Sequence, residues 1–327
     1  MTTTLDSTLP PSEPAAGFGH RLAPPGDPLE GAAFEAIYDA KIKPELVKCE
    51  AERRAALQTF VVTVAAGAIV IFLEYMLTPV FFHGVAAPPI QIPIFTGIGA
   101  LVLAYLPLGR VAREAKLSVI RALCEPLGVA YALTGVDGPA FETFLQLKLL
   151  PHPSEKAFQD FFSGRRGPID FALCEATLTQ GSGKERHTVF QGQLLRLTTA
   201  KPRLSTTVVA RNSGWMNRFE CPSGMQPVGL EDPRFNKEFA VFGSDQVEAR
   251  EILTPSFMQQ LVDLESVYSG AHLRCAFCGP DLLVAVEGPN RFEIGSMFTT
   301  LVEVSRVEGI ARNIEQVFKL IDEFAAA

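Results

Sequence analysis

"LQTFVVTVAAGAIVIFL", residues 57–73, carries no charge, and after Glu74 the apolar run resumes as "YMLTPVFF" to Phe82. A second uncharged run, residues 85–109, contains "IPIFTGIGALVLAYLPLG". A helix crossing a ~30 Å hydrocarbon layer needs ~20 mostly apolar residues at ~1.5 Å rise each. Both runs meet that requirement, so two membrane spans are expected, over residues 57–82 and 92–109, joined by a short loop over residues 83–91. Buried helices of a soluble protein are the alternative reading, but two neighbouring runs this rich in Val, Ile, Leu, Phe and Gly are unusual there. The first span begins well inside the chain without a basic lead, which is not the layout of a cleaved signal peptide.

Composition agrees, with 47% hydrophobic residues among 327 and a mean hydropathy of +0.19. Lys41, Lys43, Lys48, Arg53 and Arg54 precede the first span, and Arg110, Arg113, Lys116 and Arg121 follow the second. The connecting "HGVAAPPIQ" has no Lys or Arg. Cations favour the cytoplasmic side, so both flanks, both termini and the bulk of the chain are expected inside the cell. All six cysteines, at 49, 124, 174, 221, 275 and 278, then lie in a reducing compartment, and no disulfide framework is expected. From residue 122 onward acidic residues outnumber basic ones 25 to 19, the opposite of a nucleic-acid footprint. Glu74 lies ~26 Å along the first span, where a carboxylate can reach the headgroups of the outer boundary.

Residues 1–30 hold six prolines among Ser, Thr and Gly and read as a disordered tail. Residues 31–56 read as an amphipathic cytoplasmic helix through Phe34, Ile37, Tyr38 and Ile42, kinked or restarted at Pro44. Residues 110–126 read as a basic helical stalk holding the next domain away from the bilayer. The remainder, residues 127–327, reads as one α+β domain of mainly antiparallel strands with flanking helices. Its first helices are expected over residues 139–149 and 154–162, the second with Ser154 as N-cap. Strands are expected in "PIDFALCEATLTQ", "RHTVFQGQLLRLTT" and "RLSTTVVAR", then in "HLRCAFCG" and "DLLVAVEG". Asp245 with Glu248 forms a helix-starting pair, Thr254 before Pro255 opens another helix, and a closing helix from about Ser305 aligns Val307, Ile310, Ile314, Val317, Phe318 and Ile321 on one face.

"VFQGQLLRL" from Val189, "DPRFNKEFAVFGSDQVEAREILTP" from Asp232 and the following "SFMQQL" together resemble the bacterial domain-of-unknown-function family 3137. The resemblance covers roughly residues 130–300 and implies a membrane-tethered cytoplasmic module with no assigned activity, cofactor or catalytic residue. The chain as a whole is thus expected to be a multi-pass protein of the bacterial inner membrane.

Motifs that promise chemistry mostly dissolve on inspection. "TQGSGKERH" has Leu178 where a phosphate-binding loop needs Gly, and Glu185 where it needs Ser or Thr, so a Gly-rich hairpin turn is expected. No histidine pair has metal-binding spacing, and no cofactor is implied. Cys275 and Cys278 stand in C-x-x-C, but residues three apart on a strand face opposite ways. The best charged constellation is Asp232, Arg234, Lys237, Asp245 and Arg250, a candidate partner-docking surface whose letters are also explained by a turn, a strand edge and a helix cap. Arg211, Trp215 and Arg218 form a candidate lipid contact. The expected role is binding or scaffolding, with the bilayer and another membrane protein, or a second copy, as partners; the alternative is a membrane-tethered enzyme using the charged region from Asp232 to Arg250.

Overall fold

The computed structural model describes residues 31–81, 89–135, 137–199, 202–212, 214, 221–267 and 272–326. The expected tail and most of the expected external loop lie outside these residues. Helix α1 (Gly31–Ile37) runs through a π turn (Tyr38–Ile42) into the 39-residue α2 (Lys43–Phe81). The π turn is the restart expected at Pro44: the Lys43 N–H donates to the Tyr38 carbonyl, five residues back, just where the proline ring disturbs the normal ladder. Helix α3 (Gln91–Cys124) folds back against α2.

Both long helices are apolar enough to cross a membrane, and only 11% of each most apolar stretch is buried. That low burial is unlike a core helix of a soluble protein. They meet at Gly67, where an added Cβ would come 2.5 Å from the Cβ of Ala100. Gly67→Val should therefore push the two helices apart and cost about 1–3 kcal/mol, read as a fall in the melting temperature of the detergent-solubilised chain. Glu74 turns toward the partner helix, where the Thr96 hydroxyl donates to its Oε1 at 2.7 Å.

Nine strands form one sheet: β1 (Ala130–Thr134), β2 (Glu155–Arg166), β3 (Ile169–Gln180), β4 (His187–Thr198), β5 (Thr207–Arg211), β6 (Gln226–Pro227), β7 (Phe239–Gly243), β8 (Leu273–Cys278) and β9 (Asp281–Glu287). Their spatial order is β1-β2-β3-β4-β9-β8-β5-β7-β6, with every pairing antiparallel. The β8–β9 hairpin is thus inserted between β4 and β5. "GSGKE" is the expected turn between β3 and β4. Gly192 lets β9 approach β4, since a Cβ there would sit 2.0 Å from the Val286 carbonyl oxygen.

Among the described residues the domain also has five shorter helices: α4 (Phe141–Gln146), α5 (Pro233–Glu238), α6 (Gln246–Ile252), α7 (Pro255–Val267) and α8 (Val304–Ala326). Thr254 caps α7 as expected, its Oγ1 accepting from the Phe257 N–H at 3.2 Å. The apolar stripe of α8 is buried throughout.

Two expectations are corrected. The helix expected over residues 154–162 is strand β2, whose pairing with β1 and β3 overrides the helix-like spacing of Phe158, Phe161 and Phe162. The basic segment expected to stand clear as a stalk is instead packed inside the domain. Val111, Ala115, Val119 and Leu123 of α3 share one apolar cluster with Leu46 of α2, Leu195 and Val284 of the sheet and Ile314 of α8. The opposite sheet face is covered around α4 by Phe144, Leu149, Phe190 and Leu283.

Candidate functional site

Where α3 crosses the sheet, a group of charges is buried. Strand β2 departs from regular pairing between Gln159 and Phe162, and Asp160 at this bulge has φ +55°. A non-glycine residue in the left-handed region costs energy and re-aims its side chain. The result is a carboxylate with 0% exposure beneath α3. The Lys116 ammonium of α3 donates to Asp160 at 2.7 Å and to Glu293 at 2.9 Å, and the Tyr131 hydroxyl of β1 donates to the other Asp160 oxygen at 2.6 Å.

Glu175 of β3 sits beside this pair, accepting from the Arg291 backbone N–H at 2.6 Å. One carboxylate oxygen from each of Asp160, Glu175 and Glu293 lies within 4.8 Å of the others. Two of these carboxylates bind the Lys116 ammonium, and the third, Glu175, lies against Asp160. Burial, and then the neighbouring Asp160, push the Glu175 carboxyl up to about 7, against the opposing bond from Arg291. Burial alone would lower the Lys116 pKa, but its bonds to Asp160 and Glu293 outweigh that and hold it above the usual lysine range. Tyr131 is raised as well, by burial and by its bond to Asp160. Lys116 occupies the place a metal cation would take among these oxygens, so the donor set is already satisfied by the chain.

Tyr131 also lines a surface cleft of about 570 Å³ with Lys41, Glu45, Arg121 and Glu125. Lys41 and Glu125 face each other across it at 2.6 Å. The cleft therefore communicates, through one phenol, with the buried acids. The void between Phe162, Phe171, Phe292 and Phe318 measures about 10 Å³, room for no more than a water.

The residues singled out from sequence are not brought together in this way. Asp232 caps α5, accepting from the Arg234 and Phe235 N–H groups, and Asp245 caps α6 through Val247 and Glu248. The expected reciprocal pairing of Glu248 with Asp245 does not form: Glu248 instead accepts from the Leu204 and Ser205 N–H groups, tying α6 to the segment that leads into β5. Arg250 donates to the Gly229 carbonyl, while Arg234 and Lys237 stand exposed on α5. Arg211 is committed to Glu265 and Glu238; Trp215 and Arg218 lie outside the described residues. Cys275 is fully buried with its thiol pushed up to about 12 by burial, and Cys278 is on the other side of β8 near the Thr206 hydroxyl. Lys116, Asp160, Glu175 and Glu293 escaped sequence reasoning; the one local signal was Glu175, a lone charge inside the apolar "FALCEATL".

Among the described residues, the chain joins a nine-stranded antiparallel sheet to a pair of long apolar helices. Residues 188–326 match the family described as Protein of unknown function (DUF3137). The match begins later in the chain than the sequence motifs suggested and takes in α8. No curated protein matches the chain. The crystal structure of the mycobacterial trehalose monomycolate transport factor A, TtfA, is similar over 60% of this chain and 92% of that chain, at 8% identity and a TM-score of 0.30. That likeness is too slight to carry an argument.

Proposed function

We propose that the chain is a multi-pass protein of the bacterial inner membrane whose cytoplasmic sheet domain is a binding or scaffolding module for a second membrane or membrane-associated protein. The observation that supports this is continuity: α2 and α3 pass from an exposed apolar hairpin into the domain core without a break, which fixes the orientation of the domain on its anchor. A flexible tether would suit a freely diffusing catalytic head; a rigid stem suits a platform. The lysine and arginine distribution around the spans supports a cytoplasmic domain. Binding would use surfaces that remain exposed, namely the charged cleft at Lys41 and Arg121 and the ridge carrying Arg234 and Lys237.

Photo-crosslinking residues placed at Arg121 and at Lys237 in the full chain, in native membranes, test this reading. A discrete cross-linked protein from either position is expected. Ladders of non-specific products from both, together with a C-terminal reporter active only in the periplasm, would overturn it.

A further inference from the structure

Phe298 is 53% exposed yet lies on a loop with little freedom. Gly295 turns the chain with φ +87°, Arg306 donates to the Ile294 and Ser296 carbonyls at 3.3 and 3.1 Å, Arg53 donates to the Met297 carbonyl at 2.9 Å, and the Leu301 N–H donates to Glu50 at 3.0 Å. This bracing aims the aromatic ring at the two apolar helices. Its centroid lies 5.6 Å from Phe60 of α2 and 6.2 Å from Tyr105 of α3, which are themselves 5.1 Å apart, all three edge to face.

The position of this triad along the helices is informative. On α2, Ala56 is the last residue buried in the domain core; on α3, Leu108 is the first to enter it. Phe60 and Tyr105 lie just beyond those points, where the helices begin to expose apolar side chains on their outer surfaces. On the domain side of the triad stand the exposed Arg54, Arg110 and Arg113, with the exposed carboxylates Glu52 and Glu114 farther away along each helix. An aromatic cluster backed by cations matches the boundary between acyl chains and anionic headgroups.

We propose that Phe298, on the braced loop of residues 295–301, inserts into the bilayer at the acyl–headgroup boundary and moors the sheet domain to the leaflet at a third point beside the spans. This rests on the membrane reading above. The mooring is a part of the domain far from the spans in sequence, and it differs from the lipid contact expected at Arg211, whose guanidinium is held by two carboxylates.

The test uses the full chain in vesicles of phosphatidylcholine and phosphatidylglycerol, with lipids brominated either high or low on the acyl chain. Trp215→Phe removes the native fluorophore; Phe298→Trp then reports the loop, and Ile69→Trp, in a separate variant, reports the middle of the first span. The tryptophan at 298 is expected to be quenched several-fold more by the shallow bromines than by the deep ones, and that at 69 the reverse. If Trp215→Phe misfolds, the difference between Phe298→Trp and the unmodified chain gives the same readout. An unquenched signal at 298 with quenching at 69 overturns the mooring alone; loss of quenching at both overturns the membrane reading.

Discussion

Lys116→Met is expected to destabilise the domain by about 3–5 kcal/mol, the usual effect of removing one partner from a buried ion pair. At ~2–4 °C per kcal/mol for a domain of this size, the melting temperature should fall by at least roughly 6 °C. The loss is large because Asp160 is fully buried and, once the ammonium is gone, keeps neutral partners such as the Tyr131 hydroxyl in place of a cation. Met fills nearly the same volume, so the effect is one of charge. The Glu175 carboxyl, raised by burial and by Asp160, holds its proton to higher pH in the folded state than in the unfolded one, and the variant lacks the nearby ammonium that offsets the charge formed when that proton leaves. Stability from such groups is complete below the unfolded pKa and lost as pH rises, so the variant should be weakest under alkaline conditions. A melting temperature within 2 °C of the parent at pH 8, on the same roughly 2–4 °C scale, would sink this account.

Glu175→Gln should act in the opposite direction. The Glu175 carboxyl is raised from an ordinary 4.5 to about 7, first by burial and then by Asp160. Below about 4.5 both folded and unfolded chains hold the proton; between 4.5 and 7 the unfolded chain has released it and the native one has not; above 7 the loss of stability is complete. Glutamine imitates the protonated acid permanently, still accepting from the Arg291 N–H and donating toward Asp160. The variant is therefore expected to gain up to about 3 kcal/mol at pH 8 and almost nothing at pH 4. Equal gains at both pH values would instead indicate a packing effect unrelated to titration. Glu50 runs the other way: its bonds from Arg53, supported by the Leu301 N–H and Arg54 against burial, hold it at about 2. Its contribution is present above the ordinary carboxyl range and is lost as pH falls. Together the two groups place maximal stability in mildly acid solution.

The two long apolar helices, most strands and the closing helix were legible because each rests on a local pattern: uncharged length, β-branched runs between turns, and a 3.6-residue stripe from Val307 to Ile321. Strand β2 was not, since "SEKAFQDFF" carries a plausible N-cap and phenylalanines at helical spacing, and only pairing to β1 and β3 decides against them. The buried charges were illegible for a related reason. Lys116 sits in a run of basic residues that reads as solvated, Asp160 depends on a bulge, and Glu293 lies 177 residues from the lysine it meets. No window on the sequence brings these groups together. The C-x-x-C pair, by contrast, was resolved by strand parity alone, as Cys275 lies in the helix-covered core with Leu273 while Cys278 turns away.

The threading of α1 and α2 through the core has a consequence for synthesis. Phe34, Ile42 and Leu46 emerge from the ribosome before the first span, yet the partners that bury them include Val284 and Ile314, translated some 240 residues later. On the membrane reading proposed above, insertion of the two apolar helices precedes closure of the domain by most of the translation time. Throughout that interval the early amphipathic helix has α3 beside it but neither the sheet nor α8 to complete its cover. Nascent chains should depend on a holding partner, or on the membrane surface itself, until the final helix arrives, and a truncation just before α8 should leave a correctly inserted hairpin whose soluble part aggregates or is degraded.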